Sequence, residues 1–274
     1  MPMNILHRMK GVTLVELIVV IAITSIIAAV VAVFIRRPVE GYADASRRAS
    51  LTDEADTAMR RMARDLRLAL PNSVRVYGGG QFVEFIETSG GGRYRAEPDS
   101  GGGGDVLDFS AADTSFDVLG PVPALAAGNQ IVVYNLYNSG TVSNAYFGDN
   151  RAALTSTAAP PVAIASKLFP EPSPAKRFHV VTGPVTYGCV GGQLLRYWGY
   201  AYSQEAPGAA VPPAGGSSAV LAGNVGECQF VYTAGALTER IGTVSIILQI
   251  NSVSAGGGVE RVRMFQQAQV SNAP

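Results

Sequence analysis

From Val12 to Ile35 the chain is an almost unbroken run of apolar side chains, interrupted only by Thr13, Glu16, Thr24 and Ser25. As a helix this run would be about 36 Å long at ~1.5 Å per residue, slightly more than the ~30 Å hydrocarbon core of a bilayer, and tilt absorbs the excess. The pattern therefore predicts a membrane-spanning helix over 12–35. A secretory signal would be followed by a small-residue cleavage site, but Val30 to Ile35 are mostly bulky and Arg36-Arg37 come next, which argues for an anchor that stays attached. Arg8 and Lys10 on one flank balance Arg36 and Arg37 on the other, so flanking charge does not orient the segment.

The pattern then changes to a helical period with polar interruptions. Leu51, Ala55, Ala58, Met62, Leu66 and Ala69 recur at spacings of four and three, an apolar stripe on an amphipathic helix within 36–70. Arginines and acids fall mainly elsewhere, and Asp44 with Arg48 and Asp56 with Arg60 are acid-before-base pairs at i,i+4 that support the helix by a few tenths of a kcal/mol each. Interleaved acids make this a solvated face, not a lipid or nucleic-acid patch. Pro38 and Gly41 are expected to kink or break the rod between its two halves, and Pro71 to end it.

Beyond residue 71 the runs become short and β-prone with glycine punctuation. Strands are predicted over Ser73–Tyr77, Gln81–Glu87, Asp105–Ser110, Gln130–Leu136, Phe178–Thr182, Val185–Val190, Gln193–Tyr200, Glu227–Tyr232, Thr243–Asn251 and Val259–Val270. In the ninth of these Val244, Ile246, Leu248 and Ile250 alternate with Ser245, Ile247, Gln249 and Asn251, giving one strongly apolar face, and Gly256-Gly257-Gly258 turns the chain into the last strand. The expected fold is α+β, with the stripe of 51–69 covering an antiparallel meander in a globular part over 71–274. Segments 89–104, 137–161 and 203–225, rich in Gly, Ala, Pro and Ser, are expected to be loops or small inserts.

Composition narrows the function. Of 274 residues 47% are hydrophobic and 15% charged, with 21 basic against 21 acidic side chains, so the chain has a core to bury and no field that would draw nucleic acid. Two cysteines and two histidines, with His7 ahead of the apolar run, are too few for a structural zinc site. Cys189 and Cys228 lie at strand-like positions beyond the anchor, and in an oxidising compartment they are expected to pair, the alternative being two buried free thiols. No Cys-x-x-Cys, Gly-x-Ser-x-Gly or phosphate-loop pattern occurs, and His179 in an apparent strand is read as packing or surface. No enzyme activity, cofactor or metal is expected. Asp99, Asp105, Asp108 and Asp113 offer oxygen ligands to calcium, but at spacings that match no EF-hand.

Gly11-Val12-Thr13-Leu14-Val15-Glu16-Leu17 resembles the processing site of type IV prepilins and type II secretion pseudopilins, with valine where the family usually has phenylalanine. The resemblance implies a leader over 1–11 that a prepilin peptidase removes after Gly11, N-methylation of Val12, and retention of 12–35 as anchor and assembly helix. Independently of the resemblance, physics gives Glu16 a role as the assembly register residue, the alternative being a carboxylate near the headgroups, protonated or snorkelling. A carboxylate inside a membrane helix costs ~2.5–3.5 kcal/mol on insertion scales and needs a partner; the next basic residue along the chain is Arg36, whereas the Val12 amine of a neighbouring subunit in a helical stack would be close.

The stretches Phe34 to Tyr42, Ala55 to Asp65, Ala69 to Arg75, Tyr187-Gly188-Cys189, Leu195-Arg196-Tyr197, Cys228 to Tyr232 and Val270 to Pro274 are similar to the MshO family of minor pilins from biogenesis of the mannose-sensitive haemagglutinin (MSHA) pilus. This implies a single-pass inner-membrane protein with a periplasmic globular part, present in the pilus after assembly, whose partners are other minor pilins, the major pilin and an inner-membrane platform. A minor pseudopilin of type II secretion has the same architecture. A membrane-tethered periplasmic binding protein or enzyme is the alternative of another class, and would need a pocket with converging polar groups.

Overall fold

The computed structural model describes residues 11–205, 212–235, 240–253 and 257–274, without the side chains of Arg36 and Arg37. Residues 1–10 of the expected leader, including His7, Arg8 and Lys10, and Gly256 of the expected turn lie outside the described residues.

One helix, α1, runs from Leu14 to Arg67 over 54 residues, about 81 Å at ~1.5 Å per residue. It is continuous through Pro38 and Gly41, so the expected break does not occur; the proline forgoes one bond to the carbonyl of Phe34, and the bonds on either side hold the helix. Thr24 and Ser25 return their hydroxyls to the carbonyls of Val20 and Ile21, each at 2.7 Å, which removes the cost of an unpaired polar group in an apolar segment. The helix stops at Arg67, three residues before the sequence-based end, because strand pairing takes over: Leu70 donates its N–H to Ile86 at 2.8 Å and Ala69 bridges Glu87.

The stripe is the buried face. Leu51, Ala55, Ala58, Met62, Leu66 and Ala69 are all buried, joined by Met59 and Ala63, and they pack on Val244, Ile246, Leu248 and Ile250 together with Ala268 and Val270. The last six lie on the inner face of a three-stranded antiparallel sheet: β10 (Val225–Thr233), β11 (Ile241–Val253) and β12 (Val259–Ser271). The helix lies lengthwise along β12, with Arg48 held by Glu260 at one end and Asn72 by Asn272 just beyond the other.

The remaining strands do not form a meander. A seven-stranded sheet is built on a ribbon of β2 (Phe82–Arg93) and β7 (Arg177–Val190). Its first half, toward Phe82, is extended through β7 by β8 (Gln193–Trp198) and β9 (Ser217–Ala222), and by β1 (Arg75–Tyr77) on β2. Its second half is extended by β4 (Gln130–Val133) and β5 (Arg151–Ala153). β3 (Asp113–Phe116) pairs with β6 (Val162–Lys167) over a second core containing Tyr94, Phe116, Ile131 and Phe178.

The two strands expected at Phe178–Thr182 and Val185–Val190 are thus one, and Asp105–Ser110 is irregular. The segments expected to be loops contribute β5, β9 and the far end of β2. Glycine enters these strands where ring faces leave no room. A Cβ on Gly188 would sit 2.3 Å from the Phe82 ring, and one on Gly92 2.9 Å from the Phe178 ring.

His179 sits in β7 between Gly91 and Val132, half-buried, its Nε2 without a hydrogen-bond partner. Burial, and secondarily the charge of Arg177, lowers its pKa to about 4. The folded state thus binds the proton less readily than the unfolded chain, so stability present above the unfolded value is lost as pH falls from about 6.5 toward 4. His179→Gln should remove up to about 3 kcal/mol of that pH dependence, measured as the change in urea unfolding free energy between pH 7.5 and 4.5 relative to the parent protein.

Candidate assembly site on the N-terminal helix

The site begins where the helix begins. Gly11, Val12 and Thr13 precede it, and Thr13 is its N-cap, with extended backbone at φ −79°, ψ 153° and its Oγ1 accepting the N–H of Glu16 at 3.2 Å. The Thr13 carbonyl accepts the N–H of Leu17 at 3.1 Å, the first helical bond. Thr13 and Glu16 have the spacing of a capping box.

Glu16 lies in the first turn, and its carboxylate has no hydrogen-bond or ionic partner among the described residues. Around it the helix is bare: Leu14, Val15, Leu17 and Ile18 are each more than half exposed, and exposure continues to Phe34 at 79%. This helix is long and apolar enough to cross a membrane. Nothing else in the described chain covers the 12–35 segment, whereas the following helical half is clamped to the sheets.

The clamp is polar as well as apolar. Asp65 accepts from the Tyr187 hydroxyl at 2.5 Å and from Arg196 at 3.1 Å, and Arg196 reaches on to Glu87 at 2.8 Å, so one carboxylate on α1 is tied to β7, β8 and β2. Burial, reinforced by Asp65, raises the Tyr187 pKa. Behind it Arg75 and Glu84 form a buried pair at 2.8 Å, with Arg75 over the Tyr146 ring and Tyr200 donating to Glu84. Neither network was read from the sequence. Asp65 at least carried a signal, an acid between the buried Met62 and Leu66.

The opposite face of α1 is exposed and carries Asp53, Thr57, Arg60, Arg61, Arg64 and Arg67. Arg60 pairs with Asp56 at 2.7 Å as the spacing implied. Asp44 instead pairs with Arg47, which frees Arg48 to reach Glu260.

Cys189 of β7 and Cys228 of β10 are joined by a disulfide, S–S 2.07 Å, which fastens the three-stranded sheet to the seven-stranded one. The four candidate calcium ligands do not converge. Asp99 accepts from Gly101 and Gly103, Asp105 from Ser115, Asp108 from Ser110, and Asp113 from the backbone of Asp108 and Thr114. Among the described residues no three acidic, histidine or cysteine side chains are grouped as a metal would need. A cleft of about 530 Å³ lies beside Asn72, Tyr137, Asn138, Tyr232 and Asn272. Its amides are occupied with the protein itself: Asn138 donates to the Val74 carbonyl and Asn272 to the Tyr232 hydroxyl.

Residues 6–32 match the model of the prokaryotic N-terminal methylation motif. The chain is type IV pilin-like. The match covers the end of the expected leader, Gly11, Val12 and Glu16, and most of the exposed 12–35 segment, and it accords with the α+β architecture in which one long N-terminal helix is half exposed and half packed on antiparallel sheets. It implies processing by a prepilin peptidase and membrane association. No curated protein and no solved structure matches the pilin-like chain.

Proposed function

We propose that this chain is a minor pilin of an MSHA-type pilus, a structural subunit and not an enzyme, held in the inner membrane by 12–35 with residues 71–274 in the periplasm and passing into the pilus on assembly. The observation that carries the proposal is the unpartnered Glu16 one turn into an exposed apolar helix, immediately after Gly11-Val12. A solitary carboxylate in that setting is costly, and the Val12 amine of an adjacent processed subunit offsets the cost while fixing the axial offset between neighbours. The sequence stretches that resemble the MshO family are the ground for preferring the pilus to a type II secretion pseudopilus.

N-terminal sequencing of protein extracted from membranes should find N-methylated Val12 as the first residue; a mature end at Met1 or beyond Ile35 would overturn the proposal. The apolar stripe is covered by the chain's own sheet, so partners are to be captured from the other side. A photo-crosslinker in place of Arg64 should trap other pilins and the major pilin. Deletion should lower surface pili and leave secretion intact; the reverse phenotype assigns the chain to type II secretion.

A further inference from the structure

We infer that Thr13 is a positioning residue for leader removal, acting by ending the helix so that the bond to be cut stays outside it; the inference rests on cleavage between Gly11 and Val12. Peptide bonds inside an α-helix have their N–H and C=O groups turned along the axis and engaged in i→i−4 bonds, so a peptidase must unwind them before it can bind the backbone. Here the helix begins at Leu14. The Gly11–Val12 bond lies before the N-cap, in backbone that belongs to no helix.

What holds the boundary there is local. An unbroken apolar run supplies no stop signal of its own, and without a cap the helix end is free to fray downstream or to grow upstream through Val12. Thr13 is extended and accepts the otherwise unpaired Glu16 N–H, which fixes the first turn at one register. A Cβ on Gly11 would meet nothing within 4 Å, so none of the described residues crowds Gly11 itself.

The two residues the motif places two and five positions after the cut are thereby linked. Thr13 and Glu16 define the start of the helix before processing, whatever Glu16 does afterwards.

The test uses the full-length precursor in detergent micelles with a prepilin peptidase, so that membrane insertion plays no part, and reads the initial cleavage rate together with hydrogen exchange at the Glu16 amide. Ser and Asn are both good N-caps, Val keeps the shape of threonine without the cap, and Ala removes both. Thr13→Ser and Thr13→Asn should be cut within about twofold of the parent, whereas Thr13→Val and Thr13→Ala should be cut about fivefold more slowly, the fold-change that corresponds to a typical cap, with exchange at Glu16 no faster than in the parent because a helix grown upstream gives that amide the Val12 carbonyl. Equal cleavage of Thr13→Val and parent overturns the inference. So does slow cleavage of Thr13→Asn with normal cleavage of Thr13→Ser, because the peptidase would then be reading the hydroxyl itself. A parent precursor not cut at Gly11–Val12 instead removes the processing reading beneath it.

Discussion

Replacing Glu16 with leucine is expected to reduce surface pili at least tenfold while leaving the amount of membrane-bound subunit unchanged or higher. The two effects have opposite signs for one physical reason. On insertion the carboxylate is a penalty of ~2.5–3.5 kcal/mol, so its removal helps the monomer enter the bilayer. In a stack of subunits the same carboxylate is the only acidic group in the 12–35 segment, and truncating one partner of a desolvated charge pair costs ~2–5 kcal/mol, more than tenfold in an equilibrium constant. Counting pili per cell by electron microscopy and quantifying the subunit in membranes by immunoblot separates the two. Glu16→Gln, which keeps hydrogen-bonding capacity and loses charge, should fall between. Normal pili with normal subunit levels would show that Glu16 is only a tolerated carboxylate near the headgroups, and a change confined to insertion would make it a folding residue.

The second large effect is expected at the disulfide. The Cys189–Cys228 bond spans 39 positions, and closing a loop of that length is worth about 4 kcal/mol in the chain-entropy model. Because it ties β7 to β10, its loss loosens the three-stranded sheet from the seven-stranded one, and the helix α1 rests on the former. The Cys189→Ala, Cys228→Ala double variant should melt roughly 10 °C below the parent by differential scanning calorimetry in detergent. Peptide mapping without reduction should recover the two cysteines linked. Free alkylation of both thiols in native protein would contradict the pairing, and with it the oxidising compartment assigned to the globular part.

The parts of this fold legible in the sequence were those where a single period governs burial. Leu51 to Ala69 follow a helical repeat and Val244 to Ile250 a strand repeat, and these two faces form the main core. What the sequence concealed depended on partners distant along the chain. Ser217–Ala222 looks like loop by composition and becomes β9 only because β8 presents an edge to it. Gly90, Gly91 and Gly92 read as a break, yet they continue β2 beside Phe178 and His179, where a Cβ on Gly91 would lie 2.8 Å from a carbonyl oxygen. Pro38 read as an interruption because a local rule was applied to one residue, whereas α1 extends about fifteen turns. At the candidate site, Gly11, Val12 and Glu16 were visible as a motif, but the capping by Thr13 emerged only from its extended backbone, and the Asp65–Tyr187–Arg196 tie links residues more than 120 positions apart.

The lengthwise contact between α1 and β12 has a further consequence, for the order in which the chain can fold. The apolar stripe at 51–69 emerges from the ribosome early, while Ala268 and Val270, which cover part of it, come about 200 residues later, as does Glu260, 212 positions beyond its partner Arg48. At a synthesis rate of ~5–20 residues per second the gap lasts on the order of ten seconds or more. Throughout it the amphipathic helix has no sheet of its own to rest on, and contacts of such long sequence separation close slowly. Any product truncated before Val259 lacks the part of that cover supplied by Ala268 and Val270 and the Glu260 partner of Arg48.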